Sequence, residues 1–254
     1  MARTVRYGTA QLPEGLRLYV IGDVHGELDA LRRLHDWIGS DLSNRPPADW
    51  RIVHLGDLID RGPDSAGVLA FLAGCDRSHV LSVCGNHDAY LKMFLADPMG
   101  APFSNWLYNG GDKALQSFGV DRGLIGGRDR MALHEALQEA MPVTTRSFLD
   151  RLPDKLLFGD FGIVHAGIRP RIAWGDQTAD DLHWIRGDFL RSKTLHEVFV
   201  VHGHTPAAEI ELRRNRVNVD TGAGKGGVLS CIVIQGSTIE RLGEHGPESL
   251  QPSR

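Results

Sequence analysis

Apolar positions along this chain switch between two spacings. Residues 18–21, 51–55 and 80–84 are short, nearly continuous apolar runs, the pattern of buried strands. Between them, residues 27–38 place Leu28, Leu31, Leu34 and Ile38 on one helical face, and residues 64–73 form a second helical stretch behind Pro63. Strand, helix, strand, helix, strand implies parallel pairing with right-handed crossovers. Sheets of that kind place their sites at the carboxyl ends of the strands. Residues 1–15 read as a loose arm ending at Pro13 and Gly15, and Asn44-Arg45-Pro46-Pro47 reads as a loop.

The pattern changes after residue 88. Helical stretches at 89–96, 113–118, 131–140 and 145–152 dominate, and they read as a helical insertion at 88–152 beside the site. Strand signals return at 156–158, 161–165, 198–201, 217–219, 228–234 and 238–241. No long helices separate them, so they predict a second, more mixed sheet. The expectation is one α/β domain over residues 1–254, with a loose tail after Gly243.

Composition narrows the class. A chain of 254 residues, 42% apolar and 24% charged, suits one large globular domain. A net charge of −4 gives no broad electrostatic case for nucleic acid or an anionic membrane. The apolar runs are too short to cross a bilayer, and the first residues lack a signal-peptide pattern. Cys75, Cys84 and Cys231 are odd in number and lack paired spacing, which predicts reduced thiols and a cytoplasmic location.

The chemistry sits where the predicted strands end. Gly22-Asp23-Val24-His25-Gly26, Gly56-Asp57-Leu58-Ile59-Asp60-Arg61-Gly62 and Gly85-Asn86-His87-Asp88 each follow an apolar run. Val164-His165-Ala166-Gly167 and His202-Gly203-His204-Thr205 follow much later. Oxygen and nitrogen donors gathered at strand ends are what a pair of divalent cations needs. Any one segment could be an ordinary turn, where Asp, Asn and Gly are common. Together the five point to hydrolysis of a phosphate ester.

In order and form these segments resemble the calcineurin-like metallophosphoesterases. The likeness runs from about Leu18 to Ile234 and is strongest to the phosphoprotein phosphatase branch, which includes the bacteriophage lambda-type and bacterial serine/threonine phosphatases. The resemblance implies a two-sheet β-sandwich flanked by helices, with a dinuclear metal site at one rim. It implies that Asp23 and His25 bind one metal, Asp57 bridges, and Asn86, His165 and His204 bind the other. The metals would be manganese, with iron or zinc as alternatives. A metal-bridging hydroxide would be the nucleophile. His87 would protonate the leaving oxygen, oriented by Asp60. Arg61 and Arg186 would grip phosphate oxygens. For Arg186 the alternative is a surface ion pair with Asp180, Asp181 or Asp188. Lys225 stands in a glycine-rich loop expected to overhang the site, at a possible substrate rim. Gly222-Ala223-Gly224-Lys225-Gly226-Gly227 lacks the spacing of a nucleotide-binding P-loop. His202 shares a strand face with His204 and could touch the site or simply be hydrogen-bonded nearby, and Trp184 is expected to pack.

The substrate implied is a phosphorylated protein, as phosphoserine or phosphothreonine, or a small phosphate ester. The alternative is a dinucleoside polyphosphate. Asp88, Gly62-Pro63-Asp64-Ser65 and His165-Ala166-Gly167-Ile168 look like the diadenosine tetraphosphate hydrolases. Asn109-Gly110-Gly111, Gly203-His204-Thr205-Pro206 and Asp220-Thr221-Gly222-Ala223 look like the lambda-type phosphatases, and this balance favours a phosphomonoester.

Overall fold

The structure is a computed structural model that describes residues 4–253, so the first three residues of the expected arm lie outside it. The amino-terminal half runs β1 (Leu16–Ile21), α1 (Leu28–Asn44), β2 (Asp49–His54), α2 (Ser65–Ala73), β3 (Val80–Ser82) and α3 (Asn86–Ala96). Short helices follow: α4 (Phe103–Trp106), α5 (Asp112–Ser117), α6 (Arg122–Ile125), α7 (Arg130–Ala140) and α8 (Val143–Asp150). The carboxyl-terminal half is β4 (Lys155–Phe158), β5 (Phe161–Val164), α9 (Ala179–Trp184), α10 (Gly187–Leu190), β6 (Phe199–His202), β7 (Glu211–Leu212), β8 (Arg216–Asn218), β9 (Cys231–Gln235), β10 (Thr238–Gly243) and β11 (Gly246–Ser249).

Two mixed sheets pack face to face. One has the order β11-β10-β9-β1-β2-β3, the other β4-β5-β6-β8-β7. β1 pairs in parallel with β2, and β2 with β3, as the alternation of strand and helix predicts. The period of two along β1 explains the layers. Leu18 and Val20 face the second sheet and join Val53, Phe161, Ile163, Phe199, Val201 and Val217 in the core between the sheets. Tyr19 and Ile21 face outward onto Leu28, Leu31, Leu34 and Ile38 of α1. Residues of α3 to α8, among them Phe94, Trp106, Leu133 and Leu149, belong to that same apolar cluster. The second sheet is covered on its outer side by Leu182 and Phe189, which meet Val164 and Val200.

Two expectations are corrected. The arm is not loose where it is described: Val5 bridges His196, the Leu12 N–H donates to the Gly236 carbonyl, and Val5, Ala10 and Leu12 are buried. The tail after Gly243 is not simply loose either. It turns back as β11 and pairs antiparallel with β10 from Glu240↔Ser249 to Gly243↔Gly246. Cys75, Cys84 and Cys231 are free thiols. No helix among the described residues is long and apolar enough to cross a membrane.

Candidate metal centre

The loops leaving β1, β2 and β3 are stitched together by backbone hydrogen bonds. The His25 N–H donates to the Asp57 carbonyl at 2.7 Å and the Gly26 N–H to that of Leu58 at 3.0 Å. Asp88 fastens the third loop to the second. One of its oxygens accepts the Leu58 N–H at 3.0 Å and the other the Gly85 N–H at 2.9 Å. The sequence offered Asp88 only as a mark of substrate class; in the structure it is a buried clamp. The approach is close enough that a Cβ on Gly56 (φ +87°) would lie 2.4 Å from the Gly85 nitrogen. Backbone strain gathers here too. His25, Asp57, Asp60, Arg61 and His204 all adopt positive φ, between 46° and 71°.

Two clusters of ligand atoms result. In the first, Asp57 Oδ1 lies 3.3 Å from His165 Nε2, which is 3.0 Å from Asn86 Oδ1 and 3.1 Å from His204 Nδ1. The His165 Nδ1–H donates to the Leu55 carbonyl at 2.8 Å, so Nε2 presents a lone pair. Several lone-pair donors therefore face one another, an arrangement that a cation satisfies. Donor atoms about 2.0–2.2 Å from one ion stand roughly 3 Å apart. In the second cluster, Asp57 Oδ2 lies 3.6 Å from His25 Nε2 and 3.9 Å from His87 Nε2. The His25 Nδ1–H donates to the Ile59 carbonyl at 2.9 Å, which frees its Nε2. Asp57 belongs to both clusters.

Burial sets the charge states. It pushes His165 down to about 3, and lowers His25 and His204 well below the usual imidazole range. Neutral imidazoles are the form that binds a metal. Burial, and then the charges of Asp220 and Asp57, push the Asp23 carboxyl well up. Arg61 offsets only part of this crowding of buried acids, and two divalent cations would compensate the rest.

Most residues singled out in the sequence come together here. Asp57, Asn86, His165, His204 and His25 do so directly. Asp23 falls in neither set of ligand atoms: its carboxylate accepts the His204 backbone N–H at 3.0 Å. His87 stands in the first turn of α3, not in a free loop, and donates its Nδ1–H to Asp60 at 2.5 Å. Arg61 donates to His25 Nε2 at 2.7 Å and to His87 Nε2 at 2.9 Å. Arg186 is exposed between α9 and α10. The alternative ion pair is not formed with Asp180, Asp181 or Asp188; Asp181 pairs with Arg169, and Asp188 with Arg169 and Arg191. Lys225 is exposed in a short turn whose neighbour, Gly224, lies against His25. His202 is buried against Phe189 and hydrogen-bonds the Gly203 carbonyl at 3.1 Å, apart from both clusters. Trp184 packs on Tyr90 with ring centroids 5.0 Å apart.

Two participants were missed in the sequence. The Trp106 Nε1–H donates to Asp60 at 2.9 Å and so buttresses the pair behind His87. Asp220, buried near Asp23, is pushed up to about 6 chiefly by burial. Asp220 lay in a quoted motif, and Trp106 stands three residues before the quoted Asn109-Gly110-Gly111, but neither was given a role.

The sandwich, with a shared carboxylate at its rim and imidazoles on either side, defines a metal-dependent phosphoesterase. The calcineurin-like phosphoesterase family model matches residues 16–223, and the chain belongs to that family. An asymmetrical bis(5'-nucleosyl)-tetraphosphatase of Bacillus subtilis is 27% identical, over 83% of this chain and 88% of the relative. Serine/threonine-protein phosphatase 1 of Salmonella typhimurium is 30% identical, over 86% and 92%. A symmetrical bis(5'-nucleosyl)-tetraphosphatase of Aeromonas hydrophila is 35% identical, over 63% of this chain but only 46% of the relative. Among solved structures, a cold-active protein tyrosine phosphatase aligns with a TM-score of 0.62 at 17% identity, over 95% of this chain and 82% of that one, which speaks to the fold alone.

Proposed function

We propose that the protein hydrolyses dinucleoside polyphosphates asymmetrically, splitting diadenosine tetraphosphate into AMP and ATP by adding water across one phosphoanhydride bond. The observation that carries this reading is a set of cations placed around the metal centre. Arg61 donates to His87 Nε2 at 2.9 Å, Lys225 is exposed in the turn whose Gly224 lies against His25, and Arg186 is exposed two residues past Trp184, whose ring centroid stands 6.5 Å from that of His204. Arg186 and Lys225 have no ion pair with any described residue. A phosphomonoester brings one dianion, which Arg61 and two metals can meet; two further free cations match a longer phosphate chain. The motifs alone favour a phosphomonoester. The relatives that match over most of their length shift the balance, since several are asymmetrical bis(5'-nucleosyl)-tetraphosphatases.

Asp23, His25, Asp57, Asn86, His165 and His204 would hold two divalent cations, Asp23 also accepting the His204 backbone N–H; the donor set suits manganese, iron or zinc. When bound, they supply Lewis-acid charge and lower the pKa of water. The chain's own side chains do the rest. Arg61 and Arg186 hold non-bridging oxygens, Asp60 fixes the His87 ring, and His87 Nε2 faces the departing oxygen.

A panel of diadenosine tetraphosphate, a phosphoserine peptide and p-nitrophenyl phosphate with added manganese tests the proposal. The expected outcome is the highest kcat/KM on the dinucleotide, with AMP and ATP as products. Two ADP would make the cleavage symmetrical. Faster turnover of the peptide would favour a protein phosphatase instead, a reading that rests on the Salmonella relative.

A further inference from the structure

Behind the 222–229 loop lies a cavity of about 280 Å³, walled by Glu27, Arg33 and Trp37 on one side and Gly227, Val228 and Leu229 on the other. We propose that this cavity takes the purine base of a bound nucleotide; the inference rests on the polyphosphate reading above.

Position is the first argument. The cavity and the metal centre share a wall. A Cβ on Gly224 would come within 2.5 Å of the His25 Cβ. Glu27 follows His25 by two residues, and its Oε1 lies 3.1 Å from where a Gly62 Cβ would stand. Lys225 is exposed in the same loop, one residue past Gly224 and so beside the wall that lies against His25. A phosphate chain anchored at the metals can therefore pass Lys225 on its way to the cavity.

Chemistry is the second. Small-molecule sites pair apolar walls with a few placed polar groups. Trp37 is half-buried and Val228 is 68% exposed, so apolar surface remains open here. An indole offers a π-face on which a base can stack. The Glu27 carboxylate, half-buried, has no hydrogen bond or ion pair among the described residues. It is an acceptor free to take the exocyclic amine of adenine. Arg33, exposed at the rim, is likewise unpaired.

The test compares AMP with ribose 5-phosphate, which keeps the sugar and phosphate but lacks the base. Each is titrated calorimetrically into the manganese-loaded protein. AMP should bind roughly ten-fold more tightly, the scale of one base stacked on an aromatic ring. Trp37→Ala and Val228→Glu should each close most of that gap while ribose 5-phosphate binds as before. Trp37 also packs against α1's neighbours, so the exposed Val228 change covers the case in which Trp37→Ala fails to fold. Equal binding of the two ligands to the wild-type protein overturns the proposal, as does a gap that survives both variants. Failure of the polyphosphate reading looks different. Diadenosine tetraphosphate would then go uncleaved even though AMP kept its advantage over ribose 5-phosphate, and the cavity would remain a base site serving another nucleotide.

Discussion

His87 and Asp60 share a hydrogen bond of 2.5 Å in which neither side chain is more than 2% exposed. Burial pushes the Asp60 carboxyl well up, against the opposing Trp106 N–H and Arg61 charge, and takes His87 down. Asp60 lies in the loop after β2 and His87 in the first turn of α3, and the Asp88 clamp ties the two segments together. The pair orients Nε2 outward, toward Arg61 and Asp57, where a leaving oxygen would stand.

His87→Asn should retain bound metal and lose roughly 10²–10⁴-fold in kcat on substrates whose leaving group needs a proton. Loss on p-nitrophenyl phosphate should be much smaller, since its leaving group is already a good anion. Matched kinetics on an alkyl phosphate and the nitrophenyl ester make the comparison. An equal loss on both would assign His87 to charge stabilisation instead.

Trp106 acts through Asp60, so it is a positioning residue. Trp106→Phe keeps an aromatic ring in the core but removes the N–H that Asp60 accepts. A hydrogen bond to a buried charged group is worth about 1.5–3 kcal/mol. The expected result is a fall in kcat of about ten-fold or more, with KM and metal content nearly unchanged. A rise in KM at constant kcat would place Trp106 in substrate binding.

The fold and the ligand segments were legible because both rest on local pattern. The continuous apolar run at 18–21 and the period of 3.6 along 27–38 place β1 and α1 without reference to the rest of the chain. Glycine beside Asp, Asn or His at a strand end marks the loops directly. What could not be read depends on long-range partners. The Asp23 carboxylate accepts the His204 backbone N–H across 181 residues of chain, a link that no local signal encodes. Trp106 reaches Asp60 from a helix that enters a wider turn at Leu107–Gly111, where Gly110 (φ +104°) accepts the Arg61 N–H. β11 contains Pro247, which argues against a strand; at the sheet edge its missing N–H has no partner to lose. Val5, Ala10 and Leu12 show no period, and they are buried only because later loops close over them. The ligand motifs are common to relatives with different named substrates, so motif likeness could not decide the substrate.

A pair of histidines away from the metal clusters sets an acid limit on stability. His35 Nε2 and His54 Nε2 lie 3.1 Å apart, and the His54 Nδ1–H donates to the Leu81 carbonyl at 2.9 Å. Phe71 packs against His35, Ser82 Oγ lies 3.2 Å from His54, and Asp36 is the nearby charge, favouring protonation of His35. Burial dominates and lowers His35 to about 4 and His54 to about 3. Unfolded histidine titrates near ~6.5, so below that pH the unfolded chain binds protons that the folded pair refuses. Stability from this pair is thus present above about pH 6.5 and lost as pH falls toward 4. His35→Gln should flatten the decline in Tm between those pH values, measured on chelated samples of both proteins. Parallel curves would mean that other groups set the limit.

Asp57 offers one oxygen to His165 and the other to His25, so it alone serves both clusters. His25 serves only one. Asp57→Asn should therefore reduce bound metal at both positions, whereas His25→Ala should spare the cluster of Asn86, His165 and His204. Removing an anionic ligand also removes the charge that offsets two cations, which makes the Asn variant the worse of the two. Elemental analysis of dialysed protein gives the metal content, and exhaustive chelation of the wild type gives the baseline activity. Chelation should abolish hydrolysis, because both the activation of water and the neutralisation of phosphate charge depend on the ions. Equal metal content in Asp57→Asn and wild type would remove Asp57 from the bridging role and leave two independent sites in its place.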